Sequence, residues 1–176
     1  GMLASGRFFR RLTVPRTAAV AAHELLLARS YLRTTGRELA PGLDEAALAG
    51  ADAAARVDDI LWNADWVLLS HGTEPSPVMN YGNRAAMELF ELDWDRLTAM
   101  ESRYTAPPDL VEERADLLRR AREAGFVDNY RGTRVSATGK RFVIERATLW
   151  EVHRPGSGER LGQAVVFPRP ATTGRY

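Results

Sequence analysis

Phe126-Val-Asp-Asn-Tyr-Arg-Gly-Thr-Arg-Val135, Arg141-Phe-Val-Ile-Glu-Arg-Ala-Thr-Leu-Trp-Glu-Val152 and Leu161-Gly-Gln-Ala-Val-Val-Phe167 are three strand-like runs with little between them. Their separators, Ser136-Ala-Thr-Gly-Lys140 and Pro155-Gly-Ser-Gly-Glu159, are short and contain glycine, as loops between antiparallel neighbours do. The runs predict a meander, and a sheet of this kind must be covered on its apolar face.

Working outward, the chain has 176 residues, which favours one domain, and its 45% hydrophobic and 9% aromatic content is enough to bury a core. Cysteine is absent, which excludes disulfides, thiolate metal sites, iron-sulfur clusters, a cysteine nucleophile and a flavin-thiol adduct. The net charge of +1 gives no electrostatic argument for nucleic acid. Residues 1–16 carry Arg7, Arg10, Arg11 and Arg16 with no acid. Residues 44–65 carry six acids, Asp44, Glu45, Asp52, Asp58, Asp59 and Asp65, against Arg56. These read as a basic tail and a solvated acidic face. The apolar stretch Ala18 to Ala28 is interrupted by His23 and Glu24 and is too short to span a bilayer, so neither a membrane nor a secretory segment is expected and the location is read as cytoplasmic. The leading Gly-Met reads as an expression remnant.

Ala18, Ala21, Ala22, Leu25, Ala28 and Leu32 recur at helical steps, with Thr17 placed to cap the start and Gly36 to end the helix. A second helix is expected from Asp44 to about Asn63. Trp66 to Ser70 and Val78 to Tyr81 read as two short strands. Asn83 caps a helix over Arg84 to Glu91, and Asp93 caps a single turn to Leu97. Asp109 with Glu112 reads as a capping box for a helix to Ala124, which Gly125 ends. The order is two strands, short helices, a longer helix and three meandering strands. It describes an α+β five-stranded antiparallel sheet with helices on one face, preceded by an N-terminal helical extension, with the first strand able to pair with the last.

Leu69-Ser-His-Gly-Thr-Glu-Pro75, Asn80-Tyr-Gly-Asn-Arg-Ala-Ala86, Leu89-Phe-Glu91, Trp94, Ser102-Arg103, Gly125-Phe126, Tyr130-Arg-Gly-Thr-Arg-Val-Ser136, Gly139-Lys-Arg-Phe142, Ala147-Thr-Leu-Trp150 and Gly162-Gln-Ala164 carry a more specific signal. Together they resemble the MEKHLA domain, a PAS-like family found alone in bacteria and at the C-terminus of plant class III homeodomain-leucine zipper transcription factors. The resemblance runs from about Thr17 to Phe167 and implies a sensory or interaction module without an established catalytic activity. The expected organisation is a basic tail at 1–16, a helical extension at 17–63, a PAS-like domain at 64–168 and a tail at 169–176.

PAS-type sheets curl around a cavity, so polar residues on an apolar face matter most. Counting in twos along Arg141 to Val152 puts Phe142, Ile144, Arg146, Thr148, Trp150 and Val152 on one side. Arg146 then needs a partner, either a helix acid or a ligand carboxylate or phosphate held by its fork. Gln163 shares a face with Leu161, Val165 and Phe167, the strand where flavin-binding PAS relatives place a flavin-contacting glutamine. No flavin is expected, and no other cofactor follows from the residues. Arg103 and Tyr104 stand where PAS domains put a pocket wall, although Arg103 can equally pair with Asp93 or Asp95. Trp94, Trp150 and Phe142 are core aromatics or stacking surfaces. His71 with Glu74 makes neither a metal site nor a catalytic pair, and no phosphate-binding loop, nucleophile elbow or zinc spacing occurs.

These readings converge on a non-catalytic sensory module that binds a small, partly apolar ligand through Arg146, Gln163, Arg103, Tyr104, Trp150 and Phe142. The alternative is a dimerisation or interaction module with a filled core. Residues 17–63 are the expected output surface of the sensory reading and, in the alternative, a homodimer or partner interface, with a homodimer expected because the apolar stripes there have few other places to be buried.

Overall fold

Residues 16–171 are described by a computed structural model. The expected tails therefore lie outside the described residues at 1–15 and 172–176. Arg16 is described and pairs with Asp58 at 2.6 Å.

The Thr17 side chain accepts from the Val20 amide at 3.2 Å and Gly36 closes the other end at φ +71°, so helix α1 runs Ala18–Thr35 between its two sequence signals. The Ala-rich segment forms two helices rather than one. Helix α2 (Glu45–Ala49) is capped by Asp44, and α3 (Ala53–Asn63) begins only after Gly50, whose extended backbone breaks the run. Strands β1 (Val67–His71) and β2 (Met79–Gly82) follow. Asn83 caps α4 (Arg84–Phe90), accepting from the Ala86 amide at 3.0 Å while its own amide donates to the Leu61 and Trp66 carbonyls. This buried asparagine ties together α3, β1 and α4. Asp93 caps the single turn α5 (Trp94–Leu97).

The capping box at Asp109 does not form. Pro107-Pro108 lead into a 3₁₀ turn over Pro108–Leu110, α6 (Val111–Ala124) starts without a side-chain cap, and the Asp109 carboxylate instead pairs with Arg141 at 2.8 Å. Proline fixes φ and removes amide donors at this start, so helix entry is set by the backbone. Strands β3 (Phe126–Val135), β4 (Arg141–His153) and β5 (Arg160–Phe167) complete the chain.

The sheet order is β2-β1-β5-β4-β3, antiparallel throughout, with β1 paired to β5 through Leu69 and Val165. One face packs on α4 and α6 through Val67, Leu69, Ile144, Ala147 and Phe167. The opposite face is not bare. Leu27, Ala28 and Tyr31 of α1, with Val57 and Leu61 of α3, pack against Leu68, Tyr81, Trp150, Val152 and Ala164. The molecule therefore has three layers, and the N-terminal helices share a core with the sheet.

Two bulges in the β3–β4 pair decide which side chains face which layer. Between the pairs Val127–Leu149 and Tyr130–Ala147, β3 holds one residue more than β4; between Tyr130–Ala147 and Gly132–Ile144, β4 holds one more than β3. Asn129 (φ +48°) and Arg146 (φ +52°) occupy the left-handed conformations that take up the extra residues. The two shifts cancel, so the pairs beyond both bulges stay in one register.

Candidate ligand-binding cavity

Between the sheet and helices α4 and α6 lies a cavity of about 40 Å³. Its wall is mainly apolar, built by Leu69, Phe90, Leu117, Ile144, Leu149 and Phe167. Alternation along β1 and β5 explains this: Leu69 and Val165 face the cavity while Leu68 and Val166 pack toward α1.

Several polar side chains also reach the wall, most of them buried. Gln163 is 2% exposed, and its amide nitrogen donates to the Leu118 carbonyl at 2.9 Å and to the Glu151 carboxylate. That carboxylate also accepts from Arg160 at 2.5 Å, so its charge is matched. His71 at the end of β1 is held by its Nδ1 on the Gly72 carbonyl at 2.9 Å, while its buried Nε2 has no partner among the described residues. Burial keeps this ring's pKa below the ordinary histidine value. On β3, the Arg134 guanidinium sits 5.5 Å from the centre of the Tyr130 ring and donates to its neighbour's carbonyl, that of Thr133, at 2.8 Å. The Tyr130 hydroxyl is buried without a partner. A Cβ at Gly132 would lie 2.3 Å from that hydroxyl, so a larger residue there would displace the Tyr130 ring. Arg114 of α6 is 8% exposed and makes no ion pair or side-chain hydrogen bond among the described residues. Burial, and then the nearby positive charge of Arg134, push its pKa down to about 10, which leaves it charged at neutral pH.

Of the six side chains singled out from sequence, Gln163 alone lines this cavity. Arg146 is exposed: it is the extra residue of the β4 bulge, so counting in twos across it exchanges the two faces of the strand. Past the bulge Ala147 and Leu149 point to the cavity side, while Trp150 and Val152 point to α1. Trp150 accordingly packs edge-on against Tyr31 at 4.8 Å, in the other layer. Phe142 stacks edge-on with Phe90 at 5.2 Å and borders the core without lining the cavity. Arg103 pairs with Glu101 at 2.6 Å rather than with Asp93 or Asp95, and lies 4.9 Å from the ring of Tyr104, itself 57% exposed. Both stand on the outer surface. Four lining residues were not proposed as contacts: His71, Tyr130 and Arg134 lie in stretches that carry the family resemblance but were assigned no contact role, and Arg114 was not singled out. Arg114 sits on the apolar stripe side of α6 one turn before Leu117 and Leu118, the one clue available, and the bulge at Asn129 hid the inward phase of Tyr130 and Arg134.

The second layer holds its own buried polar cluster. Tyr81 donates to Glu24 at 2.6 Å, and His23 contacts Ser70, which donates to Asn80 at 2.6 Å. Burial pushes Glu24 up to about 8 and His23 down to about 4. No group of three or more metal-ligating side chains, and no helix long and apolar enough to cross a membrane, is present among the described residues.

A family model, the MEKHLA domain, matches residues 21–170. Among solved structures, the PAS domain of a protein from Colwellia psychrerythraea superposes with a TM-score of 0.58 at 11% identity, covering 68% of this chain and 98% of that one. A light-oxygen-voltage domain from work with a flavin analogue gives 0.55 at 14% identity, covering 70% and 90%. A PAS domain from a two-component sensor histidine kinase gives 0.52 at 16% identity, covering 66% and 95%. At these identities the likeness is one of fold. A search of curated proteins found no match.

Proposed function

Because the chain belongs to the MEKHLA domain family and carries the PAS fold, we propose that it is a sensory module that binds a small, partly apolar ligand between the sheet and α6 and reports occupancy through its N-terminal helices. The comparisons indicate a sensory domain family and no enzyme family. The observation that carries the reading is the cavity itself, small but mainly apolar in its wall, with buried polar groups from β1, β3, β5 and α6 converging on it. A route to the output layer supports it. Gln163 in the cavity bonds the Glu151 carboxylate, and the Glu151 carbonyl in turn accepts from Ser30 of α1 at 3.0 Å. A ligand that draws the Gln163 amide away would move one end of this chain of bonds, and it can shift α1 only by binding the two arrangements unequally.

The homodimer expected through 17–63 rested on apolar stripes without a place to go. The sheet's second face supplies that place, which removes the basis for the expectation.

Native mass spectrometry of the purified chain, with thermal shift across a metabolite library, tests the sensory reading. The expected result is at least one compound that raises the melting temperature and slows amide exchange in α1. No co-purifying mass together with no shift across the library would sink it and favour an interaction module with a filled core.

A further inference from the structure

We propose that the cavity selects an anion, a short-chain carboxylate held between the guanidinium groups of Arg114 and Arg134 with its hydrocarbon end against Leu117 and Ile144. The inference rests on the sensory reading above and names the chemical class of its ligand.

Two arginines enter this cavity wall from different elements, α6 and β3, and both are 8% exposed. Neither forms an ion pair among the described residues, whereas most arginines of the surface do, including Arg16, Arg37, Arg119, Arg131 and Arg141. Their charges act on each other in the unfavourable sense. A buried guanidinium without a carboxylate is costly, and two of like charge in one wall are costlier still, so the arrangement is best satisfied by a negative group supplied from outside. The buried acid joined to the cavity's Gln163 is not available for this: Glu151 is committed to Arg160 and Gln163. Arg134 is kept in place by the Tyr130 ring and the Thr133 carbonyl, contacts that leave the rest of its fork unused. The buried Tyr130 hydroxyl is a further donor with no partner.

Size and polarity narrow the class. An accessible volume of about 40 Å³ admits only a few heavy atoms, which limits the class to the smallest carboxylates, with one or two carbons beyond the carboxylate. A carboxylate spends both oxygens on guanidinium forks and turns an alkyl group to the apolar wall. Phosphate would leave further oxygens facing Leu69, Ile144 and Phe167. Arg114 also borders an outer groove with Pro75, Pro77 and Val111, so it stands both in the cavity wall and beside the surface.

The test is calorimetric titration of the full chain with sodium propionate, with propionamide as the uncharged counterpart of the same shape, and with inorganic phosphate. Propionate is expected to bind at least tenfold more tightly than either, and Arg114→Met and Arg134→Met are each expected to weaken it tenfold or more. The contrast between propionate and propionamide uses the native chain alone, so it stands even if a variant does not fold. Propionamide binding as tightly as propionate overturns the anion inference and leaves the sensory reading intact; phosphate binding the more tightly overturns the choice of carboxylate. Heat from none of the three, with unmoved methyl resonances for Leu117 and Ile144, overturns the inference, while a hit elsewhere in the metabolite screen keeps the sensory reading alive.

Discussion

Glu24 is fully buried between α1 and the sheet, and its carboxyl is raised from 4.5 to about 8 by burial. Between those values the folded chain keeps a proton that the unfolded chain has released, so stability falls as pH rises through the window. The His23 ring, lowered to about 4, works oppositely below pH 6.5, which leaves 6.5 to 8 as the range where the loss is read cleanly. Glu24→Gln keeps an acceptor for Tyr81 and removes the titration. It is expected to exceed the parent chain by about 1–3 kcal/mol at pH 8 and to match it near pH 4, checked by urea unfolding at both. Arg146→Met, by contrast, is expected to change stability by less than about 0.5 kcal/mol in the same assay, because the side chain is exposed and makes no ion pair among the described residues. Sequence reasoning placed Arg146 on the apolar face of its strand and gave Glu24 no role beyond interrupting an apolar stretch. An arginine on a period-two stripe reads as buried only if no residue is inserted into the strand, and nothing in Glu145-Arg146-Ala147 announces a bulge.

Helix limits were legible wherever a short polar residue or a glycine acts locally. Thr17, Asp44, Asn83, Asp93, Gly36 and Gly125 each do what their type predicts, because a cap involves only neighbours within a turn. Asp109 failed because a distant arginine competes for its carboxylate and two prolines shape the entry. The strands were legible from composition, their pairing from the order of elements. What the N-terminal helices cover was not, since an apolar stripe does not name its partner. A chain beginning at residue 64 would bare Leu68, Tyr81, Trp150 and Val152. At about 1.5–3 kcal/mol per large buried side chain, the loss is on the order of 10 kcal/mol, comparable with the whole stability of a domain. Such a chain is expected to lack a dispersed amide NMR spectrum; a dispersed one would show that the sheet stands without this layer.

At the scale of the whole molecule, the three layers share the sheet as a common wall. Trp62 of α3 and Trp150 of β4 lie in different clusters yet belong to elements bound through Asn83 and Tyr31. Tryptophan fluorescence and far-ultraviolet dichroism are therefore expected to report one coincident unfolding transition in urea; two separated midpoints would mean that residues 17–63 fold apart from the rest. The cavity's place was readable from the fold order, whereas its polar lining depends on Asn129 and Arg146. Those two residues also constrain how the chain can change length. Deleting either alone sets the tip of the β3–β4 hairpin one step out of line with its base, while deleting both keeps every pair and every inward side chain and removes two left-handed residues, worth about 1–2 kcal/mol each. The single deletions are expected to unfold at markedly lower urea and the double deletion near or above the parent. Descent within this hairpin is then a matter of even steps: a lone insertion or loss is selected against, and its matching change on the facing strand restores the line.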